Sequence, residues 1–181
     1  MIFPLFRRNA QAHTISILYG MIVAQARLSY FYRDYAVADT VNGRFDLIVL
    51  HLALVLERLA GEPGLQSLGQ GVFDRFCRDM DQNLREMGIS DLKVPKEMQR
   101  IGEAFYGRAQ AYRTALAAKD DARLVAALER NIYGGAQVTA APRLAAYMRE
   151  ALGQLAAQDS ASLGRGKLHF PDPDRIAAAV S

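Results

Sequence analysis

The chain has 181 residues, of which 51% are hydrophobic and 23% are charged, with a formal net charge of +3 and a pI near 9.1. These values are typical of a globular protein with one buried core, and they exclude a disordered chain or a binder of nucleic acid with concentrated positive charge. A single cysteine, Cys77, excludes an internal disulfide and any metal site built from several cysteines. We therefore expect a protein of the reducing cytoplasm.

The first residues, MIFPLFRRNAQAH, place apolar side chains before the arginines, the reverse of the order in a signal peptide. The longest apolar stretch, residues 47–56, is well short of the ~20 residues that cross a bilayer. We therefore expect neither secretion nor a transmembrane helix. Residues 1–10 are predicted to be a flexible N-terminus in which Phe6, Arg7 and Arg8 contact an anionic membrane surface. A frayed terminus without membrane contact is the alternative.

Six helices are predicted, because apolar residues recur at every third or fourth position through most of the chain. They cover residues 11–36, 44–59, 72–87, 95–119, 121–133 and 139–157. The second is apolar on most sides, which indicates a central element, and Thr40 or Asn42 is expected to cap it. Since strand-type alternation is weak, we predict an all-α single-domain bundle over residues 11–157, with orthogonal or irregular helix packing.

Two segments between and beyond these helices have the composition of loops. Residues 61–71 are rich in glycine and contain a proline, which predicts a loop or a short helical turn. Residues 158–181 are rich in serine, glycine, proline and charge. They are predicted to form a mobile tail unless Phe170 docks on the body.

A search for catalytic and metal-binding patterns finds none. His13, His51 and His169 do not have the spacing of a helical metal site, and His51 is predicted to be a partly buried histidine that hydrogen-bonds locally. The glycines of residues 61–71 lack the lysine of a phosphate-binding loop. Cys77 falls on an apolar helix face and is predicted to be a core residue instead of a nucleophile. We therefore expect no enzyme activity, no cofactor, no metal and no small-molecule substrate.

Residues 73–112 carry dense alternating charge on two predicted helices joined by a short turn. Opposite charges at i and i+4, such as Asp81 and Arg85, contribute only ~0.2–0.5 kcal/mol per pair, so charge alone favours a solvated face over a binding surface. Gly107 is unusual, because a glycine inside a helix costs about 1 kcal/mol relative to alanine. It indicates close approach by a neighbouring helix, which is the favoured interpretation, or by a bound segment.

Three segments occur in a distinctive order: LYGMIVAQAR, FYRDYAVADTVNGRFDLIVLHLALVLERLAG and FDRFCRDMDQNLREMGISDLKVPKEMQRIGEAFYGRAQAY. In order and spacing they resemble the ubiquinol-cytochrome c chaperone family, over most of residues 15–150. The third segment is the most specific, because MD-x-x-LRE-x-G followed by K-x-M and FYGR-x-x-AY is not expected from amphipathic helix design alone. Ala38 stands where this kind of sequence is expected to have proline.

The resemblance implies a non-enzymatic assembly factor of the cytochrome bc1 complex that binds newly made cytochrome b. The expected location is the cytoplasm, where the mild positive charge favours peripheral contact with the inner face of the plasma membrane. The ribosome or that membrane surface is a further expected contact, and no recognition of nucleic acid sequence is expected. An apolar floor between the first four predicted helices is expected to receive the client. The predicted client-binding residues are Asp79, Asp81, Arg85, Lys96, Arg100, Tyr106, Gly107 and Arg108.

Two other classes of function stay open from the residues alone. A generic helical adaptor would bind soluble proteins and would not bind cytochrome b. A helical-bundle enzyme with a metal or haem is less favoured, because the sequence offers no ligand set for either group.

Overall fold

The computed structural model describes residues 3–118 and 120–177, with side chains from residue 10 onward. Within this part the chain forms eight α-helices and one short 3-10 helix at Pro173–Arg175, with no β-strand. The helices are α1 (Phe3–Ala26), α2 (Ser29–Arg33), α3 (Val41–Ala60), α4 (Gln66–Glu86), α5 (Val94–Ala117), α6 (Ala122–Ile132), α7 (Ala141–Ala157) and α8 (Ser160–Gly164). The predicted all-α class is confirmed, and each of the six predicted helices has a counterpart.

Helix α3 is the centre of the fold. It contacts α1, α4, α5, α6 and α7, and its residues 46–55 are buried on every side. Thr40 caps it, since its Oγ1 accepts a hydrogen bond from the backbone nitrogen of Gly43 at 3.1 Å. Only glycine fits at position 43, because a Cβ there would lie 2.0 Å from the carbonyl oxygen of Ala38. The apolar composition of this helix therefore reflects its central place, as predicted.

The first predicted helix, residues 11–36, is two helices in the structure. Helix α1 ends at Ala26, whose carbonyl oxygen accepts a hydrogen bond from Tyr32 Oη at 3.0 Å. The break redirects the chain so that Phe31 and Tyr35 lie in the core with no exposed surface. Helix α1 also begins at Phe3, so most of residues 1–10, predicted as a flexible terminus, continue the helix.

Helix α4 begins at Gln66, inside the segment predicted as a loop. The glycines there serve helix packing. A Cβ on Gly71 would lie 2.3 Å from Cδ1 of Ile15, so glycine lets α1 and α4 approach closely. Gly69 is buried against Leu59 of α3, where a Cβ would lie at an ordinary contact distance of 3.4 Å. Composition alone did not separate a glycine of a loop from a glycine of a helix interface.

The segment 158–177 is fastened to the helical body. Tyr35 Oη donates a hydrogen bond to the carbonyl oxygen of Pro173 at 2.6 Å, and Arg143 Nε donates to that of Ile176 at 2.9 Å. The ring of Phe170 lies 5.2 Å from that of His51, edge to face. Phe170 therefore docks on the body. This is the condition under which the sequence analysis did not predict a mobile tail.

His51 is fully buried and joins α3 to α7 and to this segment. Its Nδ1 lies 2.7 Å from the carbonyl oxygen of Leu47, which only accepts, so Nδ1 carries the proton and Nε2 accepts from Tyr147 Oη at 2.8 Å. Gln25 Nε2 donates to that hydroxyl at 3.0 Å and to the carbonyl oxygen of Pro171 at 3.1 Å. Burial lowers the pKa of His51 to about 4. The predicted local hydrogen bond of His51 is confirmed, whereas its burial is complete and not partial as predicted.

No helix within residues 3–118 and 120–177 has both the length and the apolar character needed to cross a membrane. No group of three or more histidine, cysteine, aspartate or glutamate side chains in the same ranges lies close enough to share a metal ion. Cys77 is half-buried, and burial raises the pKa of its thiol.

Candidate functional site

The turn between α4 and α5 is held by two of the predicted site residues. Arg85 pairs with Asp81 at 2.7 Å on its own helix and with Asp91 in the turn. Gly88 has a φ of +82°, and the backbone nitrogen of Ile89 donates to the carbonyl oxygen of Leu84 at 3.0 Å, so the helix ends as predicted. Asp81 and Arg85 therefore already satisfy each other within the chain.

Two large apolar side chains stand exposed at this turn. Leu92 is 95% exposed, and Met87, the last residue of the third predicted helix, is 64% exposed. Met87 follows Glu86, the last residue of α4, so it lies outside the packed part of the helix. The apolar periodicity continues by one residue beyond the last packed turn.

Asp79 lies on the side of α4 that faces α1. Its Oδ2 accepts a hydrogen bond from Tyr19 Oη at 2.7 Å, while the Arg75 guanidinium lies 5.6 Å from the Tyr19 ring. Burial and the Asp79 carboxylate together raise the pKa of Tyr19 well above its usual range. Asp79 thus joins two helices and does not stand beside the predicted residues of α5.

Lys96, Arg100, Tyr106 and Gly107 are exposed along α5. Arg100 pairs with Glu97 at 2.7 Å, one turn away on the same helix. A Cβ added to Gly107 would meet nothing within 4 Å, so the favoured expectation of tight helix packing at this glycine is wrong. The open surface beside Gly107 leaves approach by a bound segment as a prediction.

Arg108 points inward, unlike its neighbours. Its Nη2 lies 2.9 Å from Oδ1 of Asp46 on α3, and only 8% of Asp46 is exposed. Burial raises the pKa of Asp46 to about 6, against the opposing effect of the Arg108 charge. Arg108 Nε and Tyr112 Oη are also buried, without a hydrogen-bond partner among the described residues. Arg108, predicted to orient a client at the surface, belongs instead to an internal ion pair.

An apolar groove lies between α3, α4 and α5, and we call it the Tyr106 groove. It consists of two adjoining cavities that share four lining residues: Leu56, Ala60, Phe105 and Tyr106. The first cavity, of about 200 Å³, extends between α3, α5 and α7, and the second, of about 220 Å³, extends toward α4. Tyr106 is 63% exposed, although large aromatic side chains are normally buried.

An aromatic cluster supports the groove from below. The ring of Phe73 on α4 lies 5.0 Å from that of Phe105 and 5.6 Å from that of Tyr106, and these two neighbours lie 5.4 Å apart. The two contacts of Phe73 are tilted, and that between Phe105 and Tyr106 is edge to face, a favourable arrangement of aromatic rings. They hold Tyr106 at the surface on a rigid support.

The rim of the groove carries little free charge. At the first cavity, Arg113 Nη2 of α5 pairs with Oε2 of Glu57 of α3 at 2.7 Å. At the second cavity the polar residues are Gln66 and Gln70, and Gln70 donates to Asp74 at 2.7 Å. The groove is therefore apolar at its floor and close to neutral at its edge.

The sequence indicated Tyr106 and an apolar floor between the first four predicted helices, but it did not identify the residues that line the groove. Leu56, Phe73 and Phe105 lie on apolar helix stripes, which predict core residues, and Phe105 is indeed buried. A stripe does not show whether neighbouring helices close completely over it. The available signal was Tyr106 itself, a large aromatic residue outside its helix's apolar stripe and next to a glycine.

With this geometry established, comparison with known proteins identifies the family. The family model described as Ubiquinol-cytochrome C chaperone matches residues 33–170, well over half of the chain. The chain belongs to this family. The crystal structure of the Cbp3 homolog from Brucella abortus is similar, with 39% sequence identity, a TM-score of 0.87, and coverage of 98% of this chain and 100% of that one. No functionally curated protein matches the chain.

Membership of the ubiquinol-cytochrome C chaperone family confirms the resemblance seen in the sequence. The chain is a chaperone of ubiquinol-cytochrome c reductase assembly, built on an all-α fold. The Tyr106 groove and all eight predicted client-binding residues fall within the matched range 33–170. Phe6, Arg7 and Arg8 precede it, and their side chains lie outside the described residues.

Proposed function

We propose that this chaperone binds immature cytochrome b reversibly through the Tyr106 groove and catalyses no reaction. The observation that carries the proposal is the position of Tyr106, which is 63% exposed beside two cavities lined mainly by apolar side chains. Exposed aromatic residues beside apolar pockets are frequent in surfaces that bind other proteins. Family membership supports this choice of client, since cytochrome b is a subunit of the complex that this family helps to assemble.

Reversible binding is sufficient for such a function. A protein that binds one state of a client more tightly than its other states stabilises that state by mass action and lowers the concentration of free, aggregation-prone chain. Neither a nucleotide nor a covalent step is required. An apolar groove with a neutral edge suits the segments of a membrane subunit that are not yet covered by their partners.

The predicted polar residues take different parts in this proposal. Lys96 and Arg100, exposed on the same helix as Tyr106, orient the polar flanks of the client, and Gly107 allows its backbone to approach α5. Asp81 and Arg85 act indirectly by fixing the turn that precedes α5.

The other two charged residues of the predicted set act through packing. Arg108 holds α5 against α3 through Asp46, and Asp79 holds α4 against α1 through Tyr19. Contact of Phe6, Arg7 and Arg8 with the inner membrane surface remains part of the proposal, because it would bring the chaperone to the site where its client is inserted.

The test is affinity capture of cytochrome b from cells that make the bc1 complex. The charge-reversal variant Lys96→Glu/Arg100→Glu and the variant Tyr106→Ala are each expected to recover severalfold less cytochrome b than the wild type. The control is Val41→Ala, an exposed apolar residue at the start of α3, about 20 Å along that helix from the groove. If the wild type recovers no cytochrome b, or if all three variants recover as much as the wild type, the proposal is wrong.

A further inference from the structure

We infer that the Tyr106 groove binds one helical, uncharged segment of its client. Two large apolar side chains of that segment insert into the groove, one into each cavity. This inference rests on the proposed function and specifies the kind of client segment that the groove takes. It depends on the volumes of the cavities, their shared wall, and the state of the polar groups around them.

The volumes match single side chains. A dry cavity of about 150 Å³ lined by leucine, isoleucine and phenylalanine is large enough to bind benzene. The two cavities, of about 200 and 220 Å³, therefore each have room for the end of one leucine or phenylalanine side chain. Apolar walls without facing atoms lose dispersion contacts, so filling either cavity is favourable.

The shared wall sets the spacing of the two side chains. Because Leu56, Ala60, Phe105 and Tyr106 line both cavities, the two inserted groups must start from nearby backbone positions. On a helix, residues at i and i+4 have Cβ atoms about 5–6 Å apart on one face, and residues at i and i+7 lie two turns apart on that face. Because the two cavities adjoin along this shared wall, the closer spacing applies, and one helical turn separates the anchors.

The polar groups of the groove favour a helix over an extended segment. An extended segment leaves its backbone groups unpaired unless a strand edge or free polar side chains receive them. Here the walls are helices, whose backbone groups are paired internally, and Glu57 and Arg113 pair with each other. A helix brings its own backbone hydrogen bonds and needs no partners from the groove.

The same pairing selects against charge in the bound segment. A charged residue placed over the first cavity would have to compete with the 2.7 Å ion pair of Glu57 and Arg113. At the second cavity, Gln66 and Gln70 offer no full charge to balance it. The occupant is therefore an apolar stretch of a membrane protein, not an acidic or basic recognition peptide.

Two fluorescein-labelled model peptides test the inference. Both are alanine-rich helices with terminal lysines, one with leucines at i and i+4 and the other with leucines at i and i+2, which point to different faces. Fluorescence anisotropy is expected to show about tenfold or tighter binding of the i, i+4 peptide to the full chain, since only that peptide buries both leucines. Equal affinity of the two peptides would overturn the inference.

Cavity-filling variants locate the effect. Ala109→Leu, in the first cavity, and Ala60→Leu, at the wall of both cavities, are expected to abolish the preference for the i, i+4 peptide. The control Ala126→Leu introduces the same side chain on the exposed face of α6 and is expected to change nothing. Thermal unfolding verifies that each variant folds, and a preference that survives in both folded filling variants overturns the inference.

Cytochrome b capture with the same variants separates the two proposals. If the peptides are discriminated but the wild type captures no cytochrome b, the proposed function fails and the recognition rule stands. If the wild type captures cytochrome b and Tyr106→Ala captures severalfold less, while the two peptides bind equally, the rule fails and the proposed function stands.

Discussion

Asp46 of α3 and Arg108 of α5 form a buried ion pair of 2.9 Å that ties the central helix to the helix carrying Tyr106. The carboxylate is almost completely removed from water, and the guanidinium Nε is left without a partner among the described residues. A buried ion pair is a weak source of net stability, because the desolvation of both charges offsets their attraction. We therefore interpret this pair as a positioning element that fixes α5, and with it one wall of the groove.

The first prediction concerns the pH dependence of stability at Asp46. Burial raises the pKa of Asp46 in the folded chain to about 6, above the ordinary value of 3.8 in the unfolded chain. Between these values the folded state binds more protons than the unfolded state, so the contribution of Asp46 to the free energy of unfolding decreases as pH rises from about 4 to about 6 and is constant above that. The decrease is on the order of 2–3 kcal/mol.

Urea unfolding of the wild type and of Asp46→Asn across this pH range checks the prediction. The difference in unfolding free energy between the two proteins should shift against the wild type as pH rises, because asparagine does not titrate. A difference that is independent of pH would show that Asp46 has an ordinary pKa.

The second prediction has the opposite sign and concerns His51. Burial lowers the pKa of His51 to about 4, below its ordinary 6.5. The unfolded state then binds more protons between these values, so stability falls with acidification, by on the order of 3 kcal/mol once pH is below about 4.

Nitrogen-15 NMR of the imidazole is the direct measurement for His51. We expect a neutral ring protonated at Nδ1 from pH 8 down to pH 5.5, as the bonds to Leu47 and Tyr147 require. Tyr147→Phe removes the donor to Nε2 and should lower the free energy of unfolding by about 1–3 kcal/mol. A ring that titrates near pH 6.5 would contradict the buried assignment.

The third prediction compares two glycines of α5. Gly107 directly follows Tyr106, and Gly102 precedes it by four residues. A Cβ at either Gly102 or Gly107 meets nothing within 4 Å, so alanine at each position should stabilise the fold by up to ~1 kcal/mol through helix propensity. If the client approaches α5 at Gly107, capture of cytochrome b should decrease in Gly107→Ala and stay at the wild-type level in Gly102→Ala. Equal capture by both variants would remove Gly107 from the binding surface.

The sequence predicted most of the fold because hydrophobic periodicity reports which face of a helix is buried. It located α3 as the central helix and the helix stop at Gly88, both determined by local patterns. It did not show that α4 starts at Gln66, because Gly69 and Gly71 look alike in a loop and at a helix contact. A glycine's role depends on the neighbour it meets, which local composition does not specify.

The candidate site was less predictable, because exposure and pairing are tertiary properties. Arg108 belongs to the same charged pattern as Arg100, yet one is paired inside with Asp46 and the other lies at the surface. The partner of Arg108 is 62 positions away in the sequence, beyond the reach of any helical spacing rule. The cavities beside Tyr106 are likewise defined by how three helices meet, which no single stripe encodes.

The fourth prediction tests the membrane contact proposed for Phe6, Arg7 and Arg8. Deletion of residues 2–8 should reduce sedimentation of the chain with vesicles of anionic phospholipid, because two arginines and several apolar side chains are lost. Vesicles of purely zwitterionic lipid are the control, and they should bind both proteins weakly. Unchanged binding to the anionic vesicles would remove this contact from the account.

The central claim is that cytochrome b occupies the Tyr106 groove, and site-specific photo-crosslinking tests it most directly. A photoreactive amino acid is placed at position 106 or, as control, at position 126 on the exposed face of α6, in cells assembling the bc1 complex. We predict a covalent adduct with cytochrome b from position 106 and none from position 126. Absence of the adduct from position 106, or equal adducts from both positions, would contradict the claim.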